Sequence, residues 1–254
     1  MERNAHSIIE RIRNKGVISG CALIAGQMIR LVRTGTLQPP NTVEENLKQW
    51  SQHDWSHGGE EWTAGDDWKL SLVKHVLEPN ILLGARVLEI GPGGGRWTDF
   101  LVRRASHLTV VDLTPECIKL CRERFKDHQN ISYFVNDGRD LSFIPPKSID
   151  RIWSFDVFVH IHSDEVEAYI RQSSEILTDG GRGVIHHSAK GRLKRGWRSD
   201  MTAQKMLDIC AKHGLNVVRQ FTSWDGGQFH INPHSPESSF DTITVFEKPC
   251  RKAV

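Results

Sequence analysis

The sequence predicts an α/β fold in which a mostly parallel sheet is covered by helices on both faces. From residue 85 onward, short apolar runs alternate with helical patterns, the order that builds parallel sheets. The runs are rich in Val, Ile and Leu with little polar alternation, as strands buried on both faces require. The first run, Val87-Leu88-Glu89-Ile90, empties into Gly91-Pro92-Gly93-Gly94-Gly95 just before a helical pattern. A glycine turn between a strand and a helix lets the backbone pass close to a ligand at the carboxyl end of the sheet.

The elements follow in chain order. Residues 1–36 form a basic, apolar segment, and Pro39-Pro40 ends it. A helical extension over 1–40 is expected, with Ile8, Ile9 and Ile12 on one face among Arg3, Arg11, Arg13 and Lys15. Such a helix could dock on the core, pair subunits into an oligomer, or lie in a membrane interface. Its most apolar stretch leaves only 14 residues between Lys15 and Arg30, short of the ~20 that a membrane-spanning helix needs. It has the length of a signal-peptide core, but the remainder reads as cytoplasmic. Thr42 and Glu45 make a capping box for a short helix ending near Trp50. The segment 41–69 is rich in Trp, His and Gly, and reads as a lid built on Trp50, Trp55 and Trp62 with Gly58-Gly59. A helix with Leu70, Val73 and Leu77 on one face follows and opens the main domain, 70–248.

Strands are expected at Arg86–Ile90, Leu108–Val111, Ile131–Val135, Ile149–Phe155, Gly183–His187, Val217–Phe221 and Thr242–Phe246. Between them lie a helix after Gly95, one with Thr114 as cap and Pro115 at its first position, and one carrying Val166, Tyr169, Ile170, Ser173, Ile176 and Leu177. A last helix, Thr202–His213, stops at Gly214.

Composition narrows the function classes. Of 254 residues, 33 are Lys or Arg and 31 Asp or Glu, for a net charge of +2. That balance gives no overall field to gather nucleic acid, and none is expected as a partner. The five cysteines, Cys21, Cys117, Cys121, Cys210 and Cys250, are scattered; they read as reduced thiols, which fits a reducing compartment. No metal is expected, although Asp156 and His160 are close enough in sequence to share one.

The chemistry begins at the glycine turn. Val110-Val111-Asp112 ends the next strand, 23 residues beyond Glu89, where a carboxylate can accept both hydroxyls of a ribose. A dinucleotide site needs a small residue where Arg96 stands, so that reading is disfavoured. The pattern Glu89-x-Gly91-x-Gly93-x-Gly95 resembles the first motif of the class I S-adenosylmethionine-dependent methyltransferases. Asn136-Asp137-Gly138, Asp150 at the head of the fourth strand, Phe158-Val159-His160-Ile161 and Leu177-Thr178-Asp179-Gly180-Gly181 resemble that family's later motifs in the same order.

The resemblance implies a Rossmann-like sheet of seven strands with the last antiparallel, and S-adenosylmethionine as cofactor. It implies that Gly91, Gly93 and Gly95 border the methionine portion, with Glu89 anchoring that loop. Asp112 would take the ribose and Leu113 would lie beside the adenine. Asp137 would accept from the adenine amino group next to Gly138, and Ser154 joins this set. Two other readings stay open: Asp112 as a helix-capping acid and Asp137 as a turn former.

Methyl transfer to oxygen calls for a base of near-neutral pKa. His160 and His187 are the candidates, with Asp156 third; each histidine also has a purely structural reading. Acceptor contacts are sought in Lys190–Arg198, where five of nine residues are basic, and in 224–236, which holds Trp224, His230 and His234. The expected function is O-methylation of a small polar acceptor such as a sugar, glycan or phosphate-bearing metabolite. An RNA or protein methyltransferase and a non-catalytic cofactor-binding scaffold are the alternatives.

Overall fold

The computed structural model describes residues 41–191, 198–234 and 239–250. The expected N-terminal extension, most of the basic loop and Cys21 lie outside them. From Asn41 onward the described residues form one compact unit, lid segment included.

Seven strands make the main sheet: β1 (Arg86–Ile90), β2 (His107–Asp112), β3 (Ile131–Val135), β4 (Ile149–Phe158), β5 (Leu177–Ser188), β6 (Asn216–Phe221) and β9 (Asp241–Glu247). Their spatial order is β3-β2-β1-β4-β5-β9-β6. The pairs from β3 to β5 are parallel, and β9 runs antiparallel to both β5 and β6. The reversed strand is therefore the last in sequence but sits one place in from the edge. A small ribbon of β7 (Ser223–Trp224) and β8 (Phe229–His230) stands apart from the sheet.

The apolar runs are continuous because the sheet is buried on both faces. Val87, Leu108, Val110, Trp153, Phe155 and Val184 enter one core, and Leu88, Ile90, Val111, Ile152 and Ile185 enter the other. Neighbouring residues on a strand face opposite sides, so each run supplies both layers.

The helices are α1 (Val43–Ser51), α2 (Asp66–Leu72), α3 (Thr98–Arg104), α4 (Pro115–Arg124), α5 (Ser163–Ile176) and α6 (Ala203–Lys212). Thr42 caps α1 and its side chain accepts from the Glu45 N–H at 3.3 Å. Thr202 caps α6 in the same way, through the Lys205 N–H at 3.0 Å.

Three local expectations need correction. Leu70 is 58% exposed, and the buried face of its helix is Trp68, Leu72, Val73, Val76 and Leu77. A π-helical turn over Val73–Leu77 continues α2 and breaks the 3.6-residue phase assumed for it. The fourth and fifth strands are longer than expected, and β5 begins at Leu177, directly after α5. Thr114 stands at the head of α4 without a side-chain capping bond; its hydroxyl donates instead to Asp112 at 2.8 Å.

Candidate active site

At the carboxyl ends of β1, β2 and β4 the sheet opens into a cavity of about 330 Å³. This is within the size range of small-ligand sites. The glycine turn forms one wall. Gly91 has φ +71° and donates its N–H to Val111 O at 2.8 Å, which starts the turn where β1 stops.

The protein itself fills much of the room that the glycines leave. A Cβ on Gly91 would lie 2.4 Å from Val157, one on Gly93 2.5 Å from Trp55, and one on Gly95 2.7 Å from Phe125. At Gly94 a Cβ would come within 2.5 Å of the Gly58 backbone. The lid is therefore packed directly on the turn.

Asp112 serves two purposes. Its Oδ1 accepts from the N–H and the hydroxyl of Thr114, each at 2.8 Å, which secures the start of α4. Its Oδ2 faces Gly93 N at 3.4 Å, and the residue lines the cavity. Burial raises its pKa. Leu113 and Gly138 line the cavity too, and Val43 from α1 approaches them; a Cβ on Gly138 would meet Val43 at 3.1 Å and Leu113 at 3.4 Å. The resulting apolar slot is suited to a planar ring.

Of the predicted cofactor residues, Gly91, Gly93, Asp112, Leu113 and Gly138 line the cavity, and Glu89, Gly95, Asp137 and Ser154 do not. Glu89 is buried beneath the turn, accepts from the Thr98 hydroxyl at 2.7 Å, and is pushed up to about 8 by burial. Asp137 takes the turn-forming role, accepting from Arg139 N at 3.0 Å and Asp140 N at 2.8 Å. Ser154 is fully buried and donates to Ile90 O at 2.8 Å, tying β4 to β1. Gly95 accommodates Phe125.

The cavity wall also holds Asp156, His160, Arg96, Phe155 and the tryptophans Trp50, Trp55 and Trp62. The ring centroids of Trp50 and His160 are 5.1 Å apart, with Trp55 and Trp62 each 5.9 Å from Trp50. The Asn46 side chain fixes this region by donating to His160 O at 3.1 Å. Asp156 lies where the β4–β5 register shifts, and has φ +64°. A bulge of this kind redirects a side chain. Burial pushes the Asp156 carboxyl up, but Arg96 and His186 outweigh it and hold it well below the usual carboxylate range.

The other predicted catalytic residue, His187, is away from the cavity. It is fully buried; Nδ1 lies 2.8 Å from Ser188 O and Nε2 2.7 Å from the Thr244 hydroxyl. Burial lowers its pKa to about 4. These contacts give it a structural role. Its neighbour His186, which sequence reasoning passed over, lies between Asp156 and Asp241.

Trp224 packs in the core against Trp68 and donates to Ser71 at 3.0 Å, and neither His230 nor His234 lines the cavity. Of the basic stretch, Arg198 does reach it. Among the described residues no cluster of three or more His, Cys, Asp or Glu could hold a metal ion. Cys117, Cys121 and Cys210 are buried free thiols, while Cys250 is free and exposed.

Comparison with known proteins agrees with this geometry. Residues 87–181 match a family model described as a methyltransferase domain. A ubiquinone biosynthesis O-methyltransferase of Xanthomonas euvesicatoria is 31% identical over 115 residues, 45% of this chain and 46% of that protein. The chain thus spans less than half the length of that curated relative. Among solved structures, an S-adenosylmethionine-dependent methyltransferase from Mesorhizobium loti aligns with TM-score 0.60 at 16% identity, covering 73% of this chain and 99% of that one. Haemonchus contortus phosphoethanolamine N-methyltransferase 1, solved with phosphoethanolamine and S-adenosylhomocysteine, aligns with TM-score 0.61 at 19% identity, covering 84% of this chain and 49% of that one. Residues 87–181 thus match a methyltransferase domain, and the fold is that of the solved S-adenosylmethionine-dependent methyltransferases. S-adenosylmethionine is the cofactor of that class.

Proposed function

We propose that this protein is an S-adenosylmethionine-dependent O-methyltransferase acting on a small molecule. The observation that carries this reading is one cavity with two unlike halves. One half has Asp112, the glycine turn and an apolar slot; the other has Asp156 and His160 under a tryptophan lid. The first half suits a nucleoside with a polar tail, and the second suits an acceptor. Bound cofactor supplies a methyl group already activated on a sulfonium, so the protein's main contribution is positioning.

The chain's own residues divide the work. Asp112 presents Oδ2 to the ribose hydroxyls, while Leu113, Gly138 and Val43 sandwich the adenine. Trp50, Trp55 and Trp62 exclude water from the acceptor half. His160, on the cavity wall, receives the proton that an acceptor hydroxyl gives up. Asp156 accepts a hydrogen bond from the acceptor; as a carboxylate held strongly ionised, it is a weak base and a good orienting group.

The aromatic walls favour a flat ring bearing a hydroxyl, as does the quinone-pathway assignment of the Xanthomonas relative. A saccharide or phosphate-bearing metabolite remains a second class, motivated by Arg198 on the wall. The test is methyl transfer from labelled S-adenosylmethionine to a panel of hydroxylated aromatic compounds, saccharides and phosphate esters. Label in a phenolic ether is the expected product. Label found only in RNA or protein contradicts a small-molecule acceptor.

A further inference from the structure

Five charged side chains form a line behind the acceptor half of the cavity. Arg96 pairs with Asp156 Oδ2, and Asp156 Oδ1 lies 3.0 Å from His186 Nδ1. His186 Nε2 is 3.7 Å from Asp241 Oδ2, and Asp241 Oδ1 accepts from Arg198 Nη1 at 2.7 Å. Three of the five are out of solvent, Arg96 at 4% exposed, His186 at 2% and Asp241 at 1%, while Asp156 and Arg198 are half-buried. Its two ends, Arg96 and Arg198, both line the cavity.

The line has more cations than anions. A carboxylate faces each nitrogen of the His186 ring, an arrangement that favours the imidazolium. The Asp156 backbone N–H also approaches Nδ1, at 3.2 Å, a contact that suits the neutral ring. The two carboxylates prevail over burial and raise the pKa to about 9. Two carboxylates then serve three cations. Buried charge without a counter-charge is costly, and Arg96 Nη1, buried, has no hydrogen-bond partner among the described residues. Of the other carboxylates on the wall, Asp112 is engaged with Thr114 and Gly93, and Glu165 pairs through Oε1 with Arg139 at 2.9 Å while its Oε2 has no hydrogen-bond partner among the described residues.

We propose that the acceptor carries an anionic group, a carboxylate or a phosphate, that docks on the cavity wall to which Arg96 and Arg198 belong and supplies negative charge there. This rests on the methyltransferase reading above and adds the substrate's chemical class. Arginine suits the task because its planar fork binds either oxyanion in two-point fashion. Asp156 and Asp241 hold the two guanidinium groups in place, and His186 keeps those two carboxylates apart.

The test is calorimetry on the full chain. S-adenosylhomocysteine is titrated first; its failure to bind refutes the methyltransferase reading, and the remaining titrations are then read on the unloaded protein. Benzoate, its neutral analogue benzamide and inorganic phosphate follow. At least one anion is expected to bind about tenfold or more tightly than benzamide, and whether benzoate or phosphate does so distinguishes the two anion types. Arg198→Gln, which can still donate to Asp241, should abolish that preference and leave S-adenosylhomocysteine affinity unchanged, while Arg198→Lys should retain part of it. Anions binding no better than benzamide to wild type, or an undiminished preference in Arg198→Gln, overturns the proposal. The wild-type comparison alone decides the matter if a variant fails to fold.

Discussion

His186 and His187 are adjacent on β5, yet one touches Asp156 behind the cavity and the other is enclosed by Ser188 and Thr244. A shift of one residue along a strand exchanges the two faces of the sheet. Sequence reading located the strand end, and with it a histidine near the rim, but could not tell which of two neighbours lies on the side of Asp156. Asp137 and Ser154 lie off the cavity wall for a related reason. Their chemistry fits a ligand, but their nearest partners are the chain's own amides and carbonyl. Asp112 and Gly138 do line the cavity, where a strand end and a glycine have few other uses. With the panel's acceptor in hand, His160→Ala should reduce turnover by about 10²–10⁴-fold and abolish the rise of rate through a near-neutral pKa. His187→Gln should keep that pH dependence and lose stability instead. A pH–rate profile of both variants checks this, and near-wild-type turnover in His160→Ala removes it as the base.

The segment 41–69 stood out in the sequence by its tryptophans and glycines, but its contacts did not. It lies on the glycine turn through Trp55 on Gly93 and the Gly58 backbone on Gly94. Within the segment Lys69 pairs with Glu60 and His53 contacts Glu61 at 2.7 Å, and Arg124, which a Cβ on Gly58 would strike, donates to Gly94 O at 2.8 Å. Gly94 has no positive φ, so alanine there meets only the steric obstacle of Gly58. Because the obstacle is backbone, the lid must lift to make room. Gly94→Ala should therefore speed proteolytic cleavage within 52–65 several-fold and weaken S-adenosylhomocysteine binding, with little change in the unfolding of the sheet. Limited proteolysis measures it; wild-type cleavage rates would mean that the lid does not depend on this contact. By contrast, Gly93→Val is a poor probe of the ligand, since its side chain would strike Trp55 first.

At the scale of the whole molecule, the sheet was readable because every buried strand is an apolar run and each run is followed by a helix or a turn. The phase of α2 was not, since a π-helical turn leaves no composition signal. The buried ionic line couples this fold to pH. His186 has a folded pKa of about 9 against an ordinary value of 6.5. Its stabilisation is complete below about pH 6.5 and is lost as the pH rises through about 9, on the order of 3 kcal/mol. Glu89, raised from 4.5 to about 8, adds a separate loss over its own, lower range. Urea unfolding of wild type and His186→Gln between about pH 8 and 9, below the range where burial of Cys117, Cys121 and Cys210 adds its own loss, isolates the histidine: the wild type should lose stability with rising pH and the variant should change much less. The methyltransferase reading itself depends on the cavity beside Asp112. Asp112→Asn keeps an oxygen to accept from Thr114 and removes the charge, whereas Asp112→Ala removes both. The direct measurement is calorimetric titration of S-adenosylhomocysteine into wild type and both variants. Binding by wild type, with affinity at least about tenfold weaker in Asp112→Ala, or roughly 1.4 kcal/mol, and intermediate in Asp112→Asn, is the expected result; no binding by folded wild type, or equal affinity in all three proteins, contradicts it.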